Sequence, residues 1–197
     1  EYWNIKYKLY RLYRKEYKVL IPLFEKLSFK EKIDTLVELF LILEHDEFIK
    51  RLNYNHHENR SVFVHSLMVS TLSYKIAKKM KLDYKSAAIG GLLHDFYYED
   101  WQLSKKKGIK NLHGFVHARE AYENSNIHFK NLTNYKVNDI IIKHMFPLNI
   151  KPPKYIEGWI VTLVDKLVSL EIFKTPNQLY KYVGLALIFN GLKIKRW

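Results

Sequence analysis

Four side chains draw attention because each is a metal-ligating type set in a run that otherwise reads as core. His65 lies in Val62-Phe63-Val64-His65-Ser66-Leu67, the doublet His94-Asp95 follows Ile89-Gly90-Gly91-Leu92-Leu93, and Asp165 ends Ile160-Val161-Thr162-Leu163-Val164-Asp165. A carboxylate buried without a partner is strongly disfavoured, so an apolar helix that keeps one must meet something positive. A divalent cation is such a partner, and imidazole nitrogen with carboxylate oxygen suits Mn, Fe, Zn or Ni. Plainer readings exist for each residue alone. His65 alone reads as a packed or capped histidine, and Asp165 alone could be satisfied by Lys166, by Arg119 or by helix ends. The doublet behind two leucines is more specific, and the three features together, in this order, favour a metal.

Helices must position these groups. Ser61 begins a strong helix with Val62, His65, Val69, Leu72, Ile76 and Met80 on roughly one side. Asp83 caps the next, which runs through Ser86-Ala87-Ala88-Ile89-Gly90-Gly91-Leu92-Leu93 to the doublet, its small residues letting a neighbour approach closely. Further helices are expected over His117–Asn124, over Val137–Met145 before Pro147, and over Ile156–Phe173 around Asp165. Upstream, residues 4–20 form an amphipathic aromatic pattern, and Ser28 with Glu31 gives a capping box ahead of Ile33, Leu36, Val37, Phe40, Leu41 and Leu43. Ser104–Lys110 is a looser basic stretch, and Thr175-Pro176 starts a last helix reaching about Asn190. No alternating strand pattern is convincing, although Tyr and Ile can hide a short one. The expectation is an all-α, single-domain helical bundle. Residues 1–54 are helices packed on the core, 55–172 the metal-site core, and 173–197 a closing helix.

Composition narrows the function. The 197 residues are 48% hydrophobic, enough for a sizeable core, and contain no cysteine, which excludes disulfides, thiolate ligands and a cysteine nucleophile. No secretory signal and no run approaching the roughly 18–20 apolar residues of a membrane span is found, so the expected compartment is cytoplasmic. The net charge of +13 comes mostly from scattered Lys. Such a surface can attract phosphorylated small molecules or nucleic acid, or can simply be solvated.

The order His…His-Asp…Asp, in the contexts Ser61-Val62-Phe63-Val64-His65-Ser66, Gly91-Leu92-Leu93-His94-Asp95 and Leu163-Val164-Asp165-Lys166, resembles the signature of the HD-domain superfamily of metal-dependent phosphohydrolases over roughly residues 55–170. The resemblance implies an all-helical fold and hydrolysis of a phosphomonoester or phosphodiester by a metal-activated water. It implies His65, His94, Asp95 and Asp165 as ligands, with His94 and Asp95 at the catalytic centre. Two-metal members insert extra histidines between the doublet and the last aspartate. Here His117 and His144 are the candidates for a second ion, with Asp95 bridging. The implied cofactor is one or two divalent ions, Mn, Fe, Zn, Ni or Mg, and the implied substrate a phosphorylated small molecule such as a nucleotide. Arg60 and Arg119 are candidates for phosphate contacts, and His57 and Glu58 lie near the same entrance. Some branches carry a lysine a few residues after the doublet. Here the text is Phe96-Tyr97-Tyr98-Glu99-Asp100, so a general-acid lysine does not carry over, and Tyr98 or Asp100 is left to shape the site. The alternatives are a non-catalytic HD-type domain that binds a ligand or nucleic acid through its basic surface, and a helical domain whose metal is structural. Oligomeric state stays open.

Overall fold

The computed structural model describes residues 38–98 and 113–170, without 40, 54, 58 and 59. The expected helix over 4–20, the capping box at Ser28, the basic stretch at Ser104–Lys110 and the closing helix after Thr175 lie outside the described residues. What is described is helical: α1 (Asp46–Ile49), α2 (Val62–Lys79), α3 (Tyr84–Leu93), α4 (His113–His128), α5 (Tyr135–Lys143) and α6 (Ile156–Ser169). A 3-10 turn over Lys50–Asn53 leads into a two-stranded antiparallel hairpin, β1 (Asn55–His57) and β2 (Arg60–Ser61), with an irregular register. The short strand that tyrosine and isoleucine patterns can hide thus falls instead at an Asn/His-rich segment, where hairpin geometry outweighs side-chain preference.

The helix starts follow from their caps. The Ser61 hydroxyl accepts the Val64 N–H at 3.3 Å. The Asp83 carboxylate accepts the Ser86 N–H at 3.0 Å. The Asn134 side chain accepts the N–H groups of both Lys136 and Val137 at 2.9 Å. Each satisfies donors that the first turn leaves unpaired. The end of α2 is closed by the Leu82 N–H on the Ala77 carbonyl (2.9 Å) and the Lys81 N–H on the Lys78 carbonyl (3.1 Å). This closure places Lys81 at φ 57°, the left-handed conformation usual for glycine.

α3 is the central helix. Every residue from Ser86 to Leu93 is buried, so it is apolar all round, as a helix with neighbours on all sides must be. It packs against α2, α4, α5 and α6. On one side Leu92 and Leu93 join Phe48, Phe63, Leu67, Phe96, Phe129 and Ile141. On another, Ala87 joins Val69, Leu72, Ile140, Ile160 and Val164. The close approach expected from the small residues is present. A Cβ on Gly91 would stand 2.9 Å from the Ser70 Cα, and one on Gly90 would stand 2.7 Å from an Ile140 methyl. The Ser70 hydroxyl also donates to the Ala88 carbonyl at 2.7 Å, tying α2 to α3. Three expected helices have other limits: His117–Asn124 is extended at both ends to α4, Val137–Met145 is displaced to α5, and the described part of the last ends at Ser169.

Candidate metal centre

The sequence-distant ligand types from α2, α3, α4, α5 and α6 converge on one place. His65 projects from the first turn of α2. His94 and Asp95 occupy the turn that ends α3, His117 lies in the first half of α4, His144 caps α5, and Asp165 sits within α6. The doublet can send both side chains inward because the helix stops there. In a continuing helix, neighbours diverge by about 100°.

The geometry divides into two groups. In the first, the His65 Nε2 lies 3.0 Å from the Asp165 Oδ1 and 3.3 Å from the His94 Nε2. The His94 Nε2 lies 3.2 Å from the Asp95 Oδ2 and 3.4 Å from the Asp165 Oδ1. In the second, the Nε2 atoms of His117 and His144 are 3.0 Å apart and face the other oxygen of Asp95, Oδ1, at 3.4 and 3.6 Å. Asp95 therefore spans both groups with opposite carboxylate oxygens. All six residues are buried.

Two backbone carbonyls fix the imidazoles. The Nδ1–H of His94 donates to the Gly91 carbonyl at 2.8 Å, and that of His144 to the Ile141 carbonyl at 2.7 Å. With Nδ1 carrying the proton, a neutral ring turns the lone pair of its Nε2 into the cluster, the orientation that metal-ligating histidines take. Burial first, then the proximity of the His94 and His117 rings, holds the His144 pKa down to about 3, so this ring is neutral. Its Nε2 lies 3.0 Å from the His117 Nε2 and 3.6 Å from an Asp95 oxygen, so imidazole nitrogens and a carboxylate oxygen converge where a cation could sit. For His94, burial opposes protonation. The Asp95 carboxylate and the hydrogen bonds to Asp165 and Asp95 outweigh it and push the pKa up to about 10. Burial likewise favours a neutral Asp165, but hydrogen bonds from His65 and His94 hold its pKa well below the carboxylate range. The donors present thus fit one divalent ion held by His65, His94, Asp95 and Asp165, and another held by Asp95, His117 and His144.

The remaining candidates are less central. Arg119 is not brought to the cluster: it is exposed on α4 and its Nε donates to Glu123 at 2.9 Å. Two helical residues differ by about 200° in direction, so an arginine two positions after an inward His117 must point outward. Asp165 is partnered by His65 and His94, whereas the Lys166 Nζ donates to the His144 carbonyl at 3.1 Å. Arg60 and His57 are placed only by their backbones in the hairpin, with Arg60 directly before the cap of α2, and Glu58 and Asp100 lie outside the described residues. Tyr98 stands beside His128, and its hydroxyl hydrogen-bonds to the His128 ring. Glu120 and Asn124, which contact the segment that follows the doublet, were not singled out from sequence, and Lys166, named as a possible partner of Asp165, contacts the His144 carbonyl instead. Glu120 and Asn124 share the α4 face of His117 at helical spacing, a signal that was available.

Comparison with known proteins agrees with this geometry. Residues 62–170, more than half of the chain, match the HD domain, and the chain belongs to the HD-domain family. Searches of curated proteins and of solved structures found no match. Among the described residues, no helix is long and apolar enough to cross a membrane.

Proposed function

We propose that this protein is a metal-dependent phosphohydrolase that cleaves a phosphomonoester or phosphodiester of a nucleotide-like compound. The observation that carries the reading is Asp95, whose two oxygens face two separate histidine-containing groups. In this reading His65, His94, Asp95 and Asp165 hold one divalent ion, and Asp95, His117 and His144 hold a second. A divalent ion in such a site lowers the pKa of water towards about 7 and offsets charge on phosphoryl oxygens.

The chain's own residues supply the rest. The Gly91 and Ile141 carbonyls keep His94 and His144 in the tautomer that leaves Nε2 free to ligate. The buried setting keeps bulk water from competing for the ligands. The formal charge of +13 favours the approach of anionic phosphate esters over neutral compounds. Arg60, at the mouth of α2, is proposed to contact the substrate phosphate. Arg119 has no such support.

The test is elemental analysis of protein purified without chelator, with hydrolysis assays on mono- and diesters in the matching ion, for wild type and Asp95→Ala. Two equivalents of metal and activity in the wild type, both lost in a folded variant, support the reading. Full activity in Asp95→Ala sinks it. A wild type that takes up no metal and hydrolyses nothing, yet retains nucleic acid in a salt-dependent manner, favours the non-catalytic binding domain instead.

A further inference from the structure

The second group of donors depends on a spacing between two helices that neither sets alone. Asp95 rides on the end of α3, whereas His117 rides on α4, and their facing atoms are 3.4 Å apart. After the doublet the chain runs through Phe96, Tyr97 and Tyr98. The Phe96 N–H reaches the Leu93 carbonyl and the Tyr97 N–H reaches the Asp95 carbonyl.

α4 grips this segment at both ends. The Asn124 Nδ2 donates to the Phe96 carbonyl at 2.9 Å, and the Glu120 Oε1 accepts the Tyr98 N–H at 2.9 Å. The Tyr98 hydroxyl hydrogen-bonds to the His128 ring. Glu120, Asn124 and His128 follow His117 by three, seven and eleven positions. At about 100° per residue these four side chains lie within roughly 80° of one another, on one stripe of α4. Asn124 is buried, so its bond to the Phe96 carbonyl satisfies groups that would otherwise be costly to hide. From the other side the Arg51 guanidinium lies 4.7 Å from the centre of the Phe96 ring and 5.1 Å from that of Tyr98. The first group differs in this respect. His65, His94 and Asp165 come from α2, α3 and α6, which pack on one another directly.

We infer that Glu120 and Asn124, with His128, are positioning residues that hold Asp95 at the distance from His117 at which the second ion can be bound. They stand outside both donor groups and act through Asp95. The inference rests on the two-ion reading above and concerns the second ion selectively.

Titration of metal-free protein with Co(II), followed by its absorption spectrum and by calorimetry, tests it in wild type, Glu120→Leu, Asn124→Leu and Glu120→Gln. Loss of the clamp should weaken the second equivalent by about tenfold or more, the usual effect of losing a group that orients a ligand. The first equivalent should change far less. Glu120→Gln keeps an acceptor for the Tyr98 N–H and should restore wild-type behaviour, which a general loss of stability would not. Should Asn124→Leu fail to fold, the half-buried Glu120→Leu carries the test. Equal weakening of both equivalents, or none in either leucine variant, overturns the inference while leaving the two-ion reading intact. A wild type that takes up fewer than two ions overturns both.

Discussion

Two polar clusters, one partly buried and one buried, sit at opposite ends of the same helices, and they are completed differently. At the starts of α3, α5 and α6, the Lys136 Nζ lies 2.8 Å from the Glu157 Oε1 and 3.5 Å from Asp83. The Asp83 N–H donates to Glu157, and the Asn134 amide donates to the Ser86 hydroxyl. Donors meet acceptors there, and a lysine lies between the two carboxylates. At the ends of α3 and α5, the cluster is made of four imidazoles and two carboxylates. The first cluster is finished by the chain alone. The second brings four imidazoles from four helix segments onto two carboxylates, a donor set of the kind that holds divalent ions. A buried polar cluster therefore does not identify a site. The convergence of metal-ligating nitrogen and oxygen atoms on one shared carboxylate is what sets the second cluster apart.

The sharpest break in this contrast comes from removing one carboxylate at each end. Asp95→Ala should empty both metal subsites and abolish hydrolysis, while the far-ultraviolet dichroism stays helical. Glu157→Ala should do the opposite: metal content holds, and stability falls by about 3 kcal/mol in urea denaturation. That is the low end for a broken buried pair, because Lys136 keeps about a fifth of its side-chain surface in water. Metal lost from Glu157→Ala would show that the two ends are not separable.

The pH response should also set the metal cluster apart. His144 is held near 3 against an ordinary 6.5, so its contribution is present above pH 6.5 and is lost as pH falls. Asp165, also lowered, adds to the loss below its ordinary 3.8. His94 runs the other way: its contribution is full below 6.5 and is lost as pH rises towards about 10. The melting temperature of metal-free protein should therefore peak near pH 6.5. Saturating metal should abolish the alkaline decline, since a ligating nitrogen carries no proton. An alkaline decline that persists with metal would show that His94 does not ligate.

A milder test acts on the helix contact beneath the site. Gly91→Ala places a methyl group against the Ser70 backbone, which cannot swing aside. We expect about 1–3 kcal/mol of destabilisation, as for other overpacked positions, and weaker binding of the ion that His65 and His94 share. Unchanged metal affinity would mean that the crossing of α2 and α3 tolerates more play than the ligands suggest. The smallest effect is expected far from both clusters. Lys81→Gly relieves a left-handed residue and should stabilise by about 0.5–1 kcal/mol in thermal melts, with metal uptake unaltered.

Much of this was legible in the sequence because it follows local rules. Asp83 caps the helix it was expected to cap, Ser61 stands as the N-cap of the helix it was expected to begin, and the chain belongs to the family its doublet suggested. What was not legible depends on which helix meets which. Periodicity placed Asp165 in a helix but could not choose among its partners, and two histidines from other helices, not Lys166 or Arg119, stand beside it. Arg119 attracted attention by its nearness to His117 in the chain, whereas helical geometry turns it to solvent. Glu157 and Lys136 are an ordinary acid and base 21 positions apart, and only the packing of α5 on α6 makes them a pair.

The unequal sizes of the two donor groups have a consequence in time. Four residues face the first position and three the second, with Asp95 counted in both. An ion with fewer protein ligands dissociates faster, and its vacant positions are where an incoming molecule can enter. On dilution into chelator, half of the metal should therefore leave promptly and the rest slowly. The protein would pass through a long-lived intermediate with a single ion, held by the ligands of α2, α3 and α6.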